Sequence, residues 1–238
     1  AGVIQPPNAE WLDVADLNYN NSAMRAAMID AMKYWVTEFD IDGFRADVAG
    51  LVPVAFWESA NTELQKIKPL FMLAEEQGTT DMLNKAFVAN YNWELKDRIN
   101  ALATGLTIPI SLLKYVNKLP SKYPTGSIPM NFITNHDENS WNGTVQERMG
   151  DLGNAMYVLA SMIQRSFPLI YSGQEAGLNH RYPFFTKDTV GVEWSSPHAQ
   201  TDFFAQMLAL KHEHHALFNG ELGYDMNLDI DTATNSMM

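Results

Sequence analysis

The sequence predicts an α/β fold built on parallel strands, and three observations carry that prediction. Short apolar runs of strand length alternate with longer segments of helical period. Several of those runs are preceded by proline and give way abruptly to polar residues. At 46% hydrophobic over 238 residues the chain can bury one large core. Strands alternating with helices are the mark of parallel pairing.

The elements follow in order. Met24, Ala27, Met28, Ala31, Met32, Trp35, Val36 and Phe39 recur at helical spacing, so residues 22–39 read as an amphipathic helix capped by Ser22 or Asn21. Asp40-Ile41-Asp42-Gly43 leads into a strand ending near Asp47. Pro53 opens a second helix running to about Ile67, and Pro69 precedes a strand over 70–74. A short helical segment follows Thr79, then a strand over 86–90 and a helix over 93–103. Residues 111–119 form a further helical stretch, and Pro129 precedes a strand over 130–135. Met149, Leu152, Ala155, Met156, Leu159, Met162 and Ile163 mark one helix, and Pro168 precedes a strand over 169–171. Residues 200–217 read as the last helix. That makes five strand–helix units, too few to close an eight-stranded barrel.

The tail alternates Leu222, Tyr224, Met226, Leu228 and Ile230 with mostly polar residues, as the first strand of a further β domain would. Asp225, Asn227, Asp229 and Asp231 hint at an EF-hand loop. Ile230 stands where that loop needs glycine and Ser236 where it needs glutamate, so a half-buried strand is the better reading.

Composition limits the partners. A formal net charge of −12 without a basic cluster argues against nucleic acid and against an anionic membrane surface. No apolar run is long enough for a bilayer. The absence of cysteine excludes disulfides and thiolate metal sites and leaves the compartment open. The chain opens at Ala1 with no signal-peptide pattern, which reads as a processed product or a piece of a longer chain.

Three acidic residues stand where strands give way to polar residues: Asp47 in Gly43-Phe44-Arg45-Ala46-Asp47, Glu75 in Leu73-Ala74-Glu75, and Asp137 in Asn135-His136-Asp137. If the strands of Asp47 and Glu75 are neighbours, the sheet spacing of about 4.8 Å brings their carboxyls to roughly 5–5.5 Å, the separation of a retaining glycosidase pair. Asp137, from a later strand, could approach the same site. Arg45 lies two residues before Asp47, hence on the same strand face, where a guanidinium favours the ionised carboxylate a nucleophile needs. Glu75 follows the apolar run 71–74 and adjoins Glu76, surroundings that favour a protonated acid. Asn135 and His136 can hydrogen-bond sugar hydroxyls. Trp141, Trp93, Tyr91 and Phe44 are candidate stacking surfaces. Singly each motif has a bland alternative: a turn at Asp42-Gly43, a structural Asp–Arg pair, or a solvated helix start at Glu75-Glu76. Their order and placement together favour the catalytic reading.

With these residues the chain resembles the α-amylase family of retaining α-glucoside hydrolases, whose catalytic domain is a TIM-type (β/α)8 barrel. Residues 43–47 resemble its nucleophile motif, 73–75 its acid/base motif and 132–137 the motif of its third carboxylate. Val14-Ala15-Asp16-Leu17-Asn18 resembles a segment after the third barrel strand, and residues 168–175 the eighth-strand segment. The resemblance implies strands four to eight of the barrel over 1–219 and the beginning of a C-terminal β domain over 220–238. It implies Asp47 as nucleophile, Glu75 as acid/base and Asp137 as the residue gripping the reacting sugar. It also implies substrate contacts from Arg45, Asn135, His136 and Trp141, and Asp16 as ligand of a structural calcium whose site is incomplete here. The implied substrate is an α-1,4-linked glucan or maltooligosaccharide and the implied parent secreted or periplasmic, with no organic cofactor. Transglycosylation and an inactive truncated piece are the alternatives; a non-catalytic relative fits poorly, because all three acids are present. Gly50 and Leu51 stand where many amylases have Lys-His, and Glu76 where an aromatic is common.

Overall fold

The computed structural model describes residues 3–11, 13–163, 165–195, 198–219, 230, 231, 233, 234, 236 and 237. The chain divides into two compact units, Ala1–Phe87 and Val88–Met238.

The first unit opens with helix α1, Ser22–Phe39, whose Asn21 side chain accepts from the amides of Ala23 and Met24 at 3.0 and 3.2 Å. It stops at Asp40 in the left-handed region, φ 51°. Strand β1, Gly43–Ala46, pairs in parallel with β2, Phe71–Ala74, and α2, Val54–Leu64, connects them. A Cβ on Gly43 would lie 1.8 Å from the Phe71 carbonyl oxygen, so only glycine allows the strands to approach this closely. Phe56, Trp57, Ala60 and Leu64 of α2 are buried with Met72 and Ala74. A 3-10 turn, Asp81–Asn84, stands where a helical segment was expected. The expected apolar stripe of α1 is only partly covered: Val36 is buried, whereas Ala27, Ala31, Trp35 and Phe39 are exposed. Contact with α2 runs instead along the Arg25 and Lys33 side, with Lys33 paired to Glu63 at 3.1 Å.

In the second unit β3, Ala89–Tyr91, is followed by α3, Trp93–Ala103, then α4, Pro109–Val116, and α5, Leu119–Lys122. Strand β4, Ile128–Asn131, leads through a π-helical turn, Glu138–Asn142, to α6, Val145–Met149, and α7, Gly153–Met162. Strand β5, Phe167–Pro168, precedes α8, Ala199–Glu213, and the tail adds a small antiparallel pair, β6, Ile230–Asp231, with β7, Ser236–Met237. β3 pairs with β4 and β4 with β5, both in parallel. The strand–helix order and parallel pairing are those expected.

Several boundaries move, each for a visible reason. β4 covers 128–131 rather than 130–135: the Asn131 carbonyl still accepts from Leu169, but Ile133 gives its carbonyl to the Arg148 guanidinium at 2.8 Å and leaves the ladder. β5 lies before 169–171, because Tyr171 turns its amide to the Gln174 side chain at 3.2 Å. The helix expected over 149–163 is broken at Gly150, φ 54°. α8 ends at Glu213, and a 3-10 turn occupies His215–Leu217. Of the alternating tail, 222–229 and the hinted calcium loop lie outside the described residues, apart from Ile230, Asp231 and Ser236.

Beneath the strand ends of the second unit lies a buried polar chain. Tyr115 donates to the Asn92 side chain, Asn92 to Asn131 at 2.9 Å, and Asn131 to the Ala160 carbonyl at 3.0 Å. Burial pushes the Tyr115 hydroxyl far above its ordinary pKa. Each buried amide is satisfied along this chain, and it ties the ends of β3 and β4 to α4 and α7.

Candidate active site

The register of β1 on β2 pairs Ala46 with Ala74, so the next residues, Asp47 and Glu75, leave the two strands side by side. Arg45 bridges them. One guanidinium nitrogen bonds the Asp47 carboxylate and the other lies 2.8 Å from Glu75 Oε1. The Asp47 side chain is 72% exposed and that of Glu75 14%. The two carboxylates therefore differ in surroundings: one is open to substrate and solvent, the other held against the protein.

The turn after Asp47 is wrapped around Glu75. Val48 adopts φ 42°, ψ 46°, a left-handed conformation unfavourable for a β-branched residue at a cost of about 1–3 kcal/mol. In that conformation its amide donates to Glu75 Oε2 at 2.9 Å, and the Ala49 amide reaches the Glu75 carbonyl at 3.2 Å. The Trp57 indole holds the turn from below through the Ala49 carbonyl at 3.1 Å. Glu75 follows the largely buried end of β2, and polar donors also reach it. Arg45 and the Val48 amide both donate to its carboxylate. Glu76 turns away: it accepts from the Gln77 amide at 2.8 Å and from Gly78, and its carboxylate fills the space over Gly50. Two of the three positions that depart from the amylase pattern, Gly50 and Glu76, are therefore in contact with each other.

In the second unit Asp137 Oδ2 lies 3.4 Å from the Asn135 amide nitrogen and 3.5 Å from His136 Nε2. Asn135 Oδ1 accepts from the Glu138 backbone amide at 2.8 Å. Glu138 points inward, 3% exposed, and pairs with Lys96 at 2.7 Å, with Asn142 at 2.9 Å and with Arg148 at 3.6 Å. This buried network anchors the π-helical turn, a rare form found often at functional sites, and leaves Trp141 exposed at its end.

The structure thus groups Arg45, Asp47 and Glu75 in the first unit and Asn135, His136 and Asp137 in the second. One stacking candidate is corrected: Tyr91 is a buried core residue, whereas Trp93 is half-buried, and both pack on Phe132 at 5.7 and 5.0 Å. Phe44 is half-buried. Asp16 is exposed, its amide bonded to the Gln5 carbonyl at 2.9 Å. Among the described residues no three acidic or imidazole side chains gather to hold a metal. One exposed carboxylate supplies only a fraction of the roughly six to eight oxygens calcium takes, so Asp16 alone does not fit such a cage. Sequence reasoning missed Val48, Trp57, Asn139, Phe184 and Phe185. Of these only the paired aromatics after Pro183, in an otherwise irregular stretch, carry a signal in the sequence.

Residues 9–215 match the family described as alpha amylase, catalytic domain. The chain belongs to that family of glycoside hydrolases. It is 26% identical over 223 residues to an intracellular maltogenic amylase of Bacillus subtilis, covering 90% of this chain and 37% of the relative. It is 24% identical over 195 residues to a cyclomaltodextrin glucanotransferase of Niallia circulans, covering 74% of this chain and 26% of the relative. A solved structure of a noncanonic maltogenic alpha-amylase from Thermotoga neapolitana superposes with TM-score 0.78 at 28% identity, over 88% of this chain and 48% of that one. The fold is accordingly that of part of an alpha-amylase barrel. The chain spans 37% and 26% of the length of these two curated relatives and 48% of that solved chain.

Proposed function

We propose that this chain carries the catalytic carboxylates of an enzyme that cleaves α-1,4-glucosidic bonds by retaining double displacement. The observation that carries the reading is the pairing of Asp47 with Glu75 across parallel strands, bridged by Arg45. Strand spacing of about 4.8 Å supports the short carboxyl separation, about 5–5.5 Å, of retaining enzymes. Asp47 attacks the anomeric carbon while Glu75 gives a proton to the leaving oxygen. Water, deprotonated by Glu75, then releases the sugar from Asp47. Arg45 touches both carboxylates and so can follow the negative charge as it moves between them. Asp137 and His136 offer hydrogen-bonding groups to sugar hydroxyls, and Asn135, 1% exposed, holds Asp137 from within the protein.

Asp47→Asn should abolish turnover of maltoheptaose, and a fluorinated glucosyl donor should label Asp47 in mass spectrometry. Labelling at Glu75 instead would exchange the two roles. The glucanotransferase relative supports a second reading, transfer to a sugar acceptor through the same intermediate. Longer or cyclic products from maltoheptaose would select it, and shorter linear products select hydrolysis.

A further inference from the structure

We propose that Trp141, Phe184 and Phe185 form a single aromatic platform that holds a glucosyl ring of the substrate chain by stacking, and that Asn139 assembles it. The inference rests on the α-glucan reading above. These three side chains are 59, 41 and 75% exposed. Trp141 is distant in sequence from the two adjacent phenylalanines yet in contact with both: it lies 5.2 Å from Phe184 and 6.2 Å from Phe185, and the phenylalanines are 4.8 Å apart. The Trp141 and Phe184 rings overlap with a tilt of 36°, and Phe185 stands edge-on to both at 69 and 74°, so the three pack as one exposed cluster. His136 stacks on Phe184, its ring 6.1 Å away at 29°. The platform is therefore continuous with the group beside Asp137.

Exposed rings at such density are costly in water unless something covers them. The occupant must present apolar C–H faces flanked by hydroxyls, because the adjoining side chains, His136 and Asp137, are polar and partly exposed. A pyranose ring has that character, and a wholly apolar partner surface would strand the polar rim.

The platform is built, not accidental. Asn139, 5% exposed in the π-helical turn, donates to the His180 carbonyl at 2.9 Å and accepts from the Tyr182 amide at 2.9 Å. It thereby pins the segment carrying the phenylalanines to the turn carrying Trp141. His180–Asp188 at 2.8 Å and Arg181–Glu147 at 3.0 Å brace the same segment. Asn139 touches no substrate in this arrangement; it is a positioning residue.

The test is a titration of the full chain with maltoheptaose, followed by tryptophan fluorescence. Binding should perturb the emission, and Trp141→Phe should remove most of the change. Phe184→Ala and Phe185→Ala should each weaken affinity about five- to tenfold, the size of one lost aromatic contact. Phe184→Tyr should retain it. Asn139→Ala should weaken binding similarly while the labelling of Asp47 by the fluorinated donor continues. Unchanged affinity in both phenylalanine variants would overturn the platform and leave the hydrolase reading standing. A change in particle size by light scattering without a change in affinity would mark a protein-contact face and overturn it too. Failure of the parent chain to bind maltoheptaose would overturn both readings.

Discussion

Glu75 and Glu76 show how two adjacent, identical side chains acquire different chemistry. Glu75 leaves β2 toward Arg45 and Asp47, whereas Glu76 turns to its own loop amides and covers Gly50. Glu75→Gln should slow natural glucans far more than activated aryl glucosides, since only the former need a proton on the leaving oxygen. Glu76→Gln should leave that ratio unchanged. Rates on maltoheptaose and on a nitrophenyl glucoside, compared for both variants, decide it. The distinction was partly legible from strand alternation. The Val48 amide on Glu75 was not, because no sequence pattern announces a valine in the left-handed region.

At the scale of elements, the turn after β4 depends on α3. Lys96 from α3 is the close ionic partner of buried Glu138, and Arg148 of α6 stands farther off at 3.6 Å. Lys96→Met should therefore destabilise the protein by about 3–5 kcal/mol, the cost of leaving a buried charge poorly compensated. The double variant Lys96→Met with Glu138→Leu should recover part of that loss. Chemical denaturation of the single and double variants measures both. Helix existence was readable from period and caps: α1 and α3 stand at the expected residues. Strand ends were not, since they depend on where Arg148 and Gln174 draw backbone groups off the ladder.

At the scale of the whole molecule, stability should depend on pH through Lys211. Desolvation holds its ammonium down to about 8, below the ordinary lysine value. Below that pH the lysine is charged both folded and unfolded, and burial of the charge opposes folding. Above it the folded protein sheds the proton first, the unfolded chain binds more protons, and stability rises with pH. Denaturation midpoints should therefore increase between about pH 8 and 9.5. Lys211→Met should flatten the rise and increase stability at pH 7. Above about pH 10 the buried tyrosines act in the opposite direction, because burial raises Tyr115 and Tyr123 and the unfolded chain ionises first.

The sequence by itself determined the α/β class, the order of elements, the family, and the placement of Asp47 and Glu75 at strand ends. These follow from local period and from short motifs, which depend on residues near one another in the chain. The tertiary structure decided what long-range packing controls: that Arg45 spans both carboxylates, that Tyr91 belongs to the core, and that half of the apolar stripe of α1 is exposed. It also joined Trp141 to Phe184 and Phe185 across some forty residues through the Asn139 side chain. A side chain's partners are set by which elements pack against it, and that information resides in no single stretch of the sequence.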